Sequence, residues 1–393
     1  MGLILNDLKN ACELEHVCDY VNNRTTSSMN YISTENMLPN KGGISESTII
    51  PPGTTTEYKI GDILISNIRP YFQKIWCADR CGGCSADVLC IRAKENTDSK
   101  YLYYLLSQQA FFDYVMSGAK GCKMPRGDKK QIMQWPVNIP AIDVQKKVVA
   151  ILSSLDNKIR LNRRINDNLE EQAKALFKSW FVDFEPFKGG KFVDSELGLI
   201  PEGWSTGTIY SYIDVIYGAP YKSALFNDKK QGLPLIRIRD LKTYTPQYYT
   251  KEVLPNTEYV ECGDIIAGMD AEFIPHIWRG EKGVLNQRLC KFVPKYDYVS
   301  KYYIYSLVYP KLSFVQSYKV GTTVSHLGKA DIDRFKVIVP PEDIIMQYSK
   351  IVNSYFAEII KVSNENQILS FLRDTLLPKL MSGKLSVEEV SFD

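Results

Sequence analysis

Two stretches, ILSSLDNKIRLNRRINDNLEEQAKALFKSW (151–180) and IVNSYFAEIIKVSNENQILSFLRDTLLPKL (351–380), carry one pattern at a constant offset of 200. Leu152, Leu155, Ile159, Leu169, Leu176 and Trp180 return as Val352, Tyr355, Ile359, Leu369, Leu376 and Leu380. With Asn162 and Asn166 counted, the steps of the first series alternate between three and four residues as far as Leu169 and then run seven and four, the spacing that keeps one apolar seam of a long helix turned toward a partner helix. Asn166 and Asn366 interrupt both seams at the same place, and Asn162 adds an interruption to the first. An Asn on such a seam costs stability and fixes register, so the two helices are expected to pack on each other in one alignment. The match reaches back to Val137 and Pro140, which return as Val337 and Pro340. A period this long exceeds any stacked repeat unit, so it means two copies of a whole module, each a globular head ending in a long helix.

The heads match more loosely. Gly61, Asp62 and Ile63 return as Gly263, Asp264 and Ile265, and Ile75 and Trp76 read as the counterparts of Ile277 and Trp278, all at offset 202. Leu89 and Cys90 then read as Leu289 and Cys290, Ser99, Lys100 and Tyr101 as Ser300, Lys301 and Tyr302, and Gly121 as Gly321. Matched Gly-Asp turns are not features of a helix seam, so two amphipathic helices alone do not account for the likeness.

Residues 1–140 read as the first head. Short β-branched and aromatic runs, Tyr58–Ile60, Ile63–Ile65 and Val88–Ile91, alternate with Gly, Pro and Asn turns, and Tyr101–Met116 has helical periodicity. Asp143 is placed to cap a central helical region over 141–184, whose helix spans roughly 55 Å. The Gly- and Pro-rich segment 185–204 reads as a linker. A second head follows over 205–340, and a distal helical region and tail over 341–393, whose helix Pro378 is expected to bend or end early. The fold class is α/β: two mixed heads and two helices forming an antiparallel coiled coil with pseudo-twofold symmetry. Heads at the far ends of such a pair would be held a fixed distance apart.

Length 393 suffices for two cores, and 45% hydrophobic with 24% charged residues is ordinary for a soluble protein. There is neither an apolar run of membrane-spanning length nor a secretory leader in MGLILNDLKN, and nine cysteines suit reduced thiols, so a cytoplasmic location is expected. A net charge of +3 permits a polyanionic partner without demanding one. The charges Arg160, Arg163 and Arg164 on the first helix fit a solvated face or an anion contact.

The runs LDNKIRLNRRINDNLEEQAKALFKSWFVDF (155–184), SELGLIPEGW (195–204) and LRDTLLPKLMSGKL (372–385) resemble the helical regions of the specificity subunits of type I restriction-modification systems. So does the order head, helix, linker, head, helix. In the heads the likeness is general, in YISTENM (31–37) and GTTVSHLGK (321–329). The resemblance implies a non-catalytic reader of double-stranded DNA whose two target-recognition domains each bind half of an asymmetric site. It further implies two methyltransferase subunits docked on the helices and a translocating restriction subunit. S-adenosylmethionine, ATP and Mg would then reside on those partners and no cofactor on this chain.

The chain lacks an Asn-Pro-Pro-Tyr methyltransferase run and a phosphate loop, and His16, His276 and His326 form no metal-binding pair at helical spacing. Cys77, Cys81 and Cys84 have a C-x-x-x-C-x-x-C spacing that can hold an iron-sulfur cluster, with Cys90 a fourth ligand for zinc, so a cysteine-ligated metal protein is the alternative. The corresponding stretch of the second head, Arg279–Val284, has no cysteine, and no repeated βα barrel of a radical enzyme is in evidence. A coiled-coil adaptor for proteins alone is a third reading, and it gives no reason for basic loops. Base edges call for Arg, Lys, Asn and Ser/Thr on loops, and phosphates for Lys, Arg and backbone amides. In the first head the candidates are Ser33, Thr34 and Asn36, Arg69, and Lys120, Lys123 and Arg126 in AKGCKMPRGDKK. In the second they are Arg237, Arg239 and Lys242 in LIRIRDLK, Arg279, and Thr322, Thr323 and His326.

Overall fold

The computed structural model describes residues 11–26, 30–46, 53–319 and 326–390. It divides into two compact units, Met1–Asn157 with Ser370–Asp393, and Lys158–Leu369.

In the first unit an antiparallel sheet runs in the order Cys18–Tyr20, Val88–Ala93, Ile63–Ser66, Ile75–Cys77. Alternation along each strand gives the sheet two apolar faces. Ile63, Ile65, Ile75, Leu89 and Ile91 pack with helices α1 (Ser99–Leu106), α2 (Gln109–Ser117) and α3 (Lys129–Met133). Leu64, Trp76, Val88 and Cys90 pack on the other side with Tyr58 and Cys84 of a three-stranded sheet, Arg24–Thr25, Thr55–Tyr58 and Gly82–Cys84. The helical run expected over 101–116 is two helices: Ser107 caps α1, and its hydroxyl donates to the Tyr103 carbonyl at 2.6 Å. Strand Cys12–Glu13 pairs with Pro136–Val137, which closes the head before α4 (Ile142–Phe181).

Although its other sheet has four strands where the first head has three, the second unit repeats the helix-covered part of this plan. Its sheet runs Ile213–Tyr217, Leu289–Pro294, Ile265–Gly268, Pro275–Ile277, each neighbour again antiparallel. One helix, α5 (Lys301–Lys319), stands where the first head has two, α6 is Lys329–Asp333, and Ser205–Thr208 pairs with Lys336–Val339 before α7 (Glu342–Met381).

Strand register corrects two sequence correspondences. Ile63 pairs with Cys77 and Ile91, whereas Ile265 pairs with Ile277 and Phe292. Ile277 therefore answers Cys77, not Ile75, and Trp278 answers Ala78: the amides of Ala78 and Trp278 donate to the carbonyls of Asp62 and Asp264 at 2.8 and 2.7 Å. Likewise Cys90 answers Lys291, not Cys290. A slip of one residue turns a side chain to the opposite face of its sheet, and Cys90 and Cys290 do lie in differently placed cores. The extra residues of the first head sit in the loop between Ile65 and Ile75, which carries Arg69.

The Gly-Asp turn is the element most alike in the two heads. Gly61 and Gly263 adopt φ of 89° and 94°, a region glycine enters without penalty. The carboxylates of Asp62 and Asp264 accept from the backbone amides of Lys59 and Glu261 at 2.7 and 2.9 Å. Arg92 then grips Asp62 through two bonds of 2.7 and 2.6 Å, and Lys301 reaches Asp264 at 2.6 Å.

The long helices pair within each unit. In the first, Val148 and Leu152 of α4 share a core with Leu377, Leu380 and Met381 of α7, and Arg373 bonds Asp156 at 3.0 Å. In the second, the Asn162 amide donates to Glu365 at 2.8 Å and to Asn366 at 3.0 Å, and the Asn166 amide donates to Ser363 at 3.0 Å. Partner numbers fall as α4 numbers rise, so the pairing is antiparallel. Contrary to expectation, Pro378 does not end α7 early: the helix runs to Met381, the counterpart of Phe181. Burial of Leu377, Leu380 and Met381 holds that last turn although proline supplies no amide hydrogen. Segment 185–204 is not a free linker either. Phe192–Ser195 and Gly198–Pro201 form a hairpin, and Trp204 packs edge-on against Phe184 and Phe187, which fixes it to the second unit's core. No helix of the described residues is long and apolar enough to cross a membrane.

Candidate nucleic-acid interface

The strand Ile63–Ser66 delivers the chain to a loop edge where three loops of the first head meet. Asn67 donates its amide to the Asp87 carbonyl, and Arg69 donates its amide to that of Pro125, both at 2.8 Å. Lys120 and Arg126 exchange two backbone bonds of 2.9 Å, which closes 120–126 into a tight loop with Gly121 at φ 100°. Arg69, Lys120, Lys123 and Arg126 are all exposed on this edge. Arg69 stands in the left-handed region at φ 49°, a conformation that costs about 1 kcal/mol or more for a residue with a Cβ. Two of the cations have acids beside them: Arg126 meets Asp87 at 3.0 Å and Lys120 meets Asp128 at 3.1 Å. The Lys120 bond, followed by the backbone amides of Gln131 and Lys130, holds the Asp128 carboxyl below its usual range.

The turn holding Ser33, Thr34 and Asn36 is internally engaged. Asn36 is buried, and its Oδ1 accepts from the amide and hydroxyl of Ser33 at 2.8 and 2.9 Å while its Nδ2 donates to Ser45 at 3.3 Å. Its polar atoms thus shape the turn. The group the turn attracts is Lys74, a residue the sequence reading passed over, whose ammonium donates to the Thr34 carbonyl at 2.7 Å.

In the second head the same loop edge forms around Asp270. The backbone bridge Asp270–His326 answers Ile68–Arg126. Met269 donates its amide to the Arg288 carbonyl at 2.8 Å, as Asn67 does to Asp87. One oxygen of Asp270 meets His326 Nδ1 at 2.6 Å and the other faces Arg288 Nε at 3.4 Å. Lys242 pairs with Glu272 at 3.0 Å, and Arg239 is exposed. Arg237 lies 4.4 Å over the Tyr248 ring with Nε and Nη2 buried, and burial followed by the charge of Arg239 lowers its pKa. Arg279 is committed elsewhere: it pairs with Glu170 of α4, lies 5.9 Å from the Tyr244 ring centre, and accepts on its carbonyl from Gln367 of α7. It braces its own unit's helices instead of joining the loop edge. Thr322 and Thr323 lie outside the described residues. Asp87, Asp270 and Arg288 were missed in the sequence because their loops line up only after the register of the neighbouring strands is known.

The cysteine spacing does not gather into a site. Cys77 faces the helix-covered side of its sheet and Cys84 the opposite core, while Cys81 is exposed. Burial pushes the Cys77 thiol up to about 11, and contact with Cys84 followed by burial raises that of Cys90. Among the described residues no group of three or more His, Cys, Asp or Glu side chains is placed to hold a metal ion.

Comparison with known proteins agrees with the duplicated plan. The model of the type I restriction modification DNA specificity domain matches twice, over 10–171 and 201–370. The chain is 27% identical over 325 residues to the type I restriction enzyme MjaIX specificity subunit of Methanocaldococcus jannaschii, covering 76% of this chain and 71% of that one. It is 24% identical to the type I restriction enzyme HindI specificity subunit of Haemophilus influenzae over 90% and 94% of the two chains. A crystal structure of the type I restriction-modification system S subunit from M. genitalium aligns over 97% of this chain and 98% of that one at 15% identity and a TM-score of 0.49. With one domain matched in both of its heads, the chain belongs to the family of type I restriction-modification specificity subunits.

Proposed function

We propose that this non-catalytic specificity subunit reads an asymmetric, bipartite DNA site, one half with each head, and recruits two methyltransferase subunits and restriction subunits that methylate adenine or cleave DNA. The observation that carries the reading is the duplication: two heads whose helix-covered sheets share one strand order, with one Gly-Asp turn and one three-loop edge, but different side chains on that edge. A reader of two different half-sites needs a shared scaffold and unlike contact residues. Exposed cations supply phosphate contacts, and arginine forks with neighbouring carboxylates supply the geometry for base edges. S-adenosylmethionine, ATP and Mg belong to the partners in this reading.

The test is exchange of one head. Residues 1–140 are replaced by the first head of another specificity subunit, and methylated adenines are mapped in DNA from cells carrying the chimera with its methyltransferase. One half of the methylated site is expected to change and the other to persist. A change in both halves refutes independent reading.

A further inference from the structure

We infer that Arg288 reads a guanine in the half-site engaged by the second head, and that Asp270 is the residue that positions it; this rests on the proposed DNA-reading function. Three loop positions coincide between the heads: Ile68 with Asp270, Asp87 with Arg288, and Arg126 with His326. Each head places a guanidinium beside a carboxylate there, but through different positions. In the first, the arginine is Arg126 and the acid Asp87, 3.0 Å apart. In the second, the arginine has moved to the position of the acid, and the acid to that of Ile68. A pair kept only to hold the loops together has no reason to change places. A pair that presents a donor fork to different sequences does.

The backbone points the same way. Arg288 has φ of 73°, a region in which a side chain is strained and Gly or Asn would be at ease. Its side chain is nevertheless 58% exposed, so no core packing repays the strain. Asp270 engages His326 with one oxygen and faces Arg288 Nε with the other. With Nε turned toward Asp270 at 3.4 Å, the terminal nitrogens are left to form the fork that matches N7 and O6 of guanine in the major groove. An arginine buttressed in this way loses less freedom on binding than a loose one.

The experiment uses the full chain assembled with its methyltransferase on a duplex library randomised at every position of the second half-site. Arg288→Ala is expected to lose selectivity for guanine at one position by roughly ten- to hundredfold and to leave the first half-site unchanged, which also reports an intact fold. Arg288→Lys keeps the charge without the fork and is expected to relax the same position. Asp270→Asn is expected to relax it less, with no further loss when added to Arg288→Ala. Uniform weakening over all sequences with a shallower salt dependence assigns Arg288 to a phosphate and overturns the proposal. Full selectivity in the lysine variant overturns the fork. Exchange of residues 205–340 separates the two levels: if it moves the second half-site while Arg288→Ala does not, the assignment of Arg288 alone falls. If it leaves that half-site in place, the two-headed reading falls with it.

Discussion

The side-chain amide of Asn162 on α4 donates to the side-chain oxygen of Asn366 on α7 at 3.0 Å, and the same amide nitrogen reaches Glu365 at 2.8 Å. A buried polar contact of this kind is costly to break from one side and cheap to remove whole. Asn162→Ala is expected to destabilise the protein by about 1–3 kcal/mol. The double replacement Asn162→Leu with Asn366→Leu is expected to restore most of it and to loosen the choice of register. Urea titrations of both variants decide the point: a double variant no better than the single one removes the pair from that role.

The buried carboxylate of Asp62 holds the Gly-Asp turn of the first head through Arg92 and the Lys59 amide. Asp62→Ala leaves an arginine and an amide without their acceptor, so a loss of about 3 kcal/mol is expected. Measurement of the unfolding midpoint checks it, and a loss below about 0.5 kcal/mol, within the range of a surface substitution, would contradict it.

Burial lowers the pKa of His276 below its ordinary value of 6.5, with Glu272 opposing and Lys242 adding to the shift. The unfolded chain then binds a proton at a pH where the folded head does not. Stability from this site is full above 6.5 and falls as pH drops from there toward the lower folded value. His276→Phe is expected to flatten the dependence of the unfolding midpoint between about pH 7 and pH 5. An unchanged slope would show that another group titrates.

Arg126 closes its loop through the backbone and keeps an exposed guanidinium beside Asp87. Arg126→Ala should reduce the slope of log affinity against log salt by about one if the group neutralises a phosphate, or relax one position of the first half-site at about 1–3 kcal/mol if it reads a base. Binding assays across a salt series distinguish the outcomes, and no effect of either kind excludes Arg126 from the interface.

Both long helices were legible in the sequence, inside the regions 141–184 and 341–393 read for them, because a seam at 3.5-residue spacing repeats often enough to fix its own phase. The heads were legible in order but not in register. Their strands are short and apolar on both faces, so letters such as Ile-Trp or Leu-Cys align equally well one or two residues away, and only pairing with Ile63 or Ile265 decides. Composition misled over 185–204, where glycine and proline turned out to shape a hairpin anchored by Phe184 and Trp204. At the loop edge, Arg126 and His326 stood out as exposed polar types. Arg279 did so too, although Glu170 and Tyr244 hold it against its own unit. Charge alone does not tell a strut from a reader.

The shared Gly-Asp turn gives the duplicated gene a suture line. Hybrids built from the two copies by matching letters at Leu89 and Leu289 would turn the side chains beyond the junction to the opposite face of the sheet, carrying Lys291 into the helix-covered core and Cys290 into the other one. Hybrids cut at Asp62 and Asp264 would keep each strand's parity and place the length difference in a loop. Recombination between the copies, in a laboratory or in a genome, therefore has a junction that yields a foldable head.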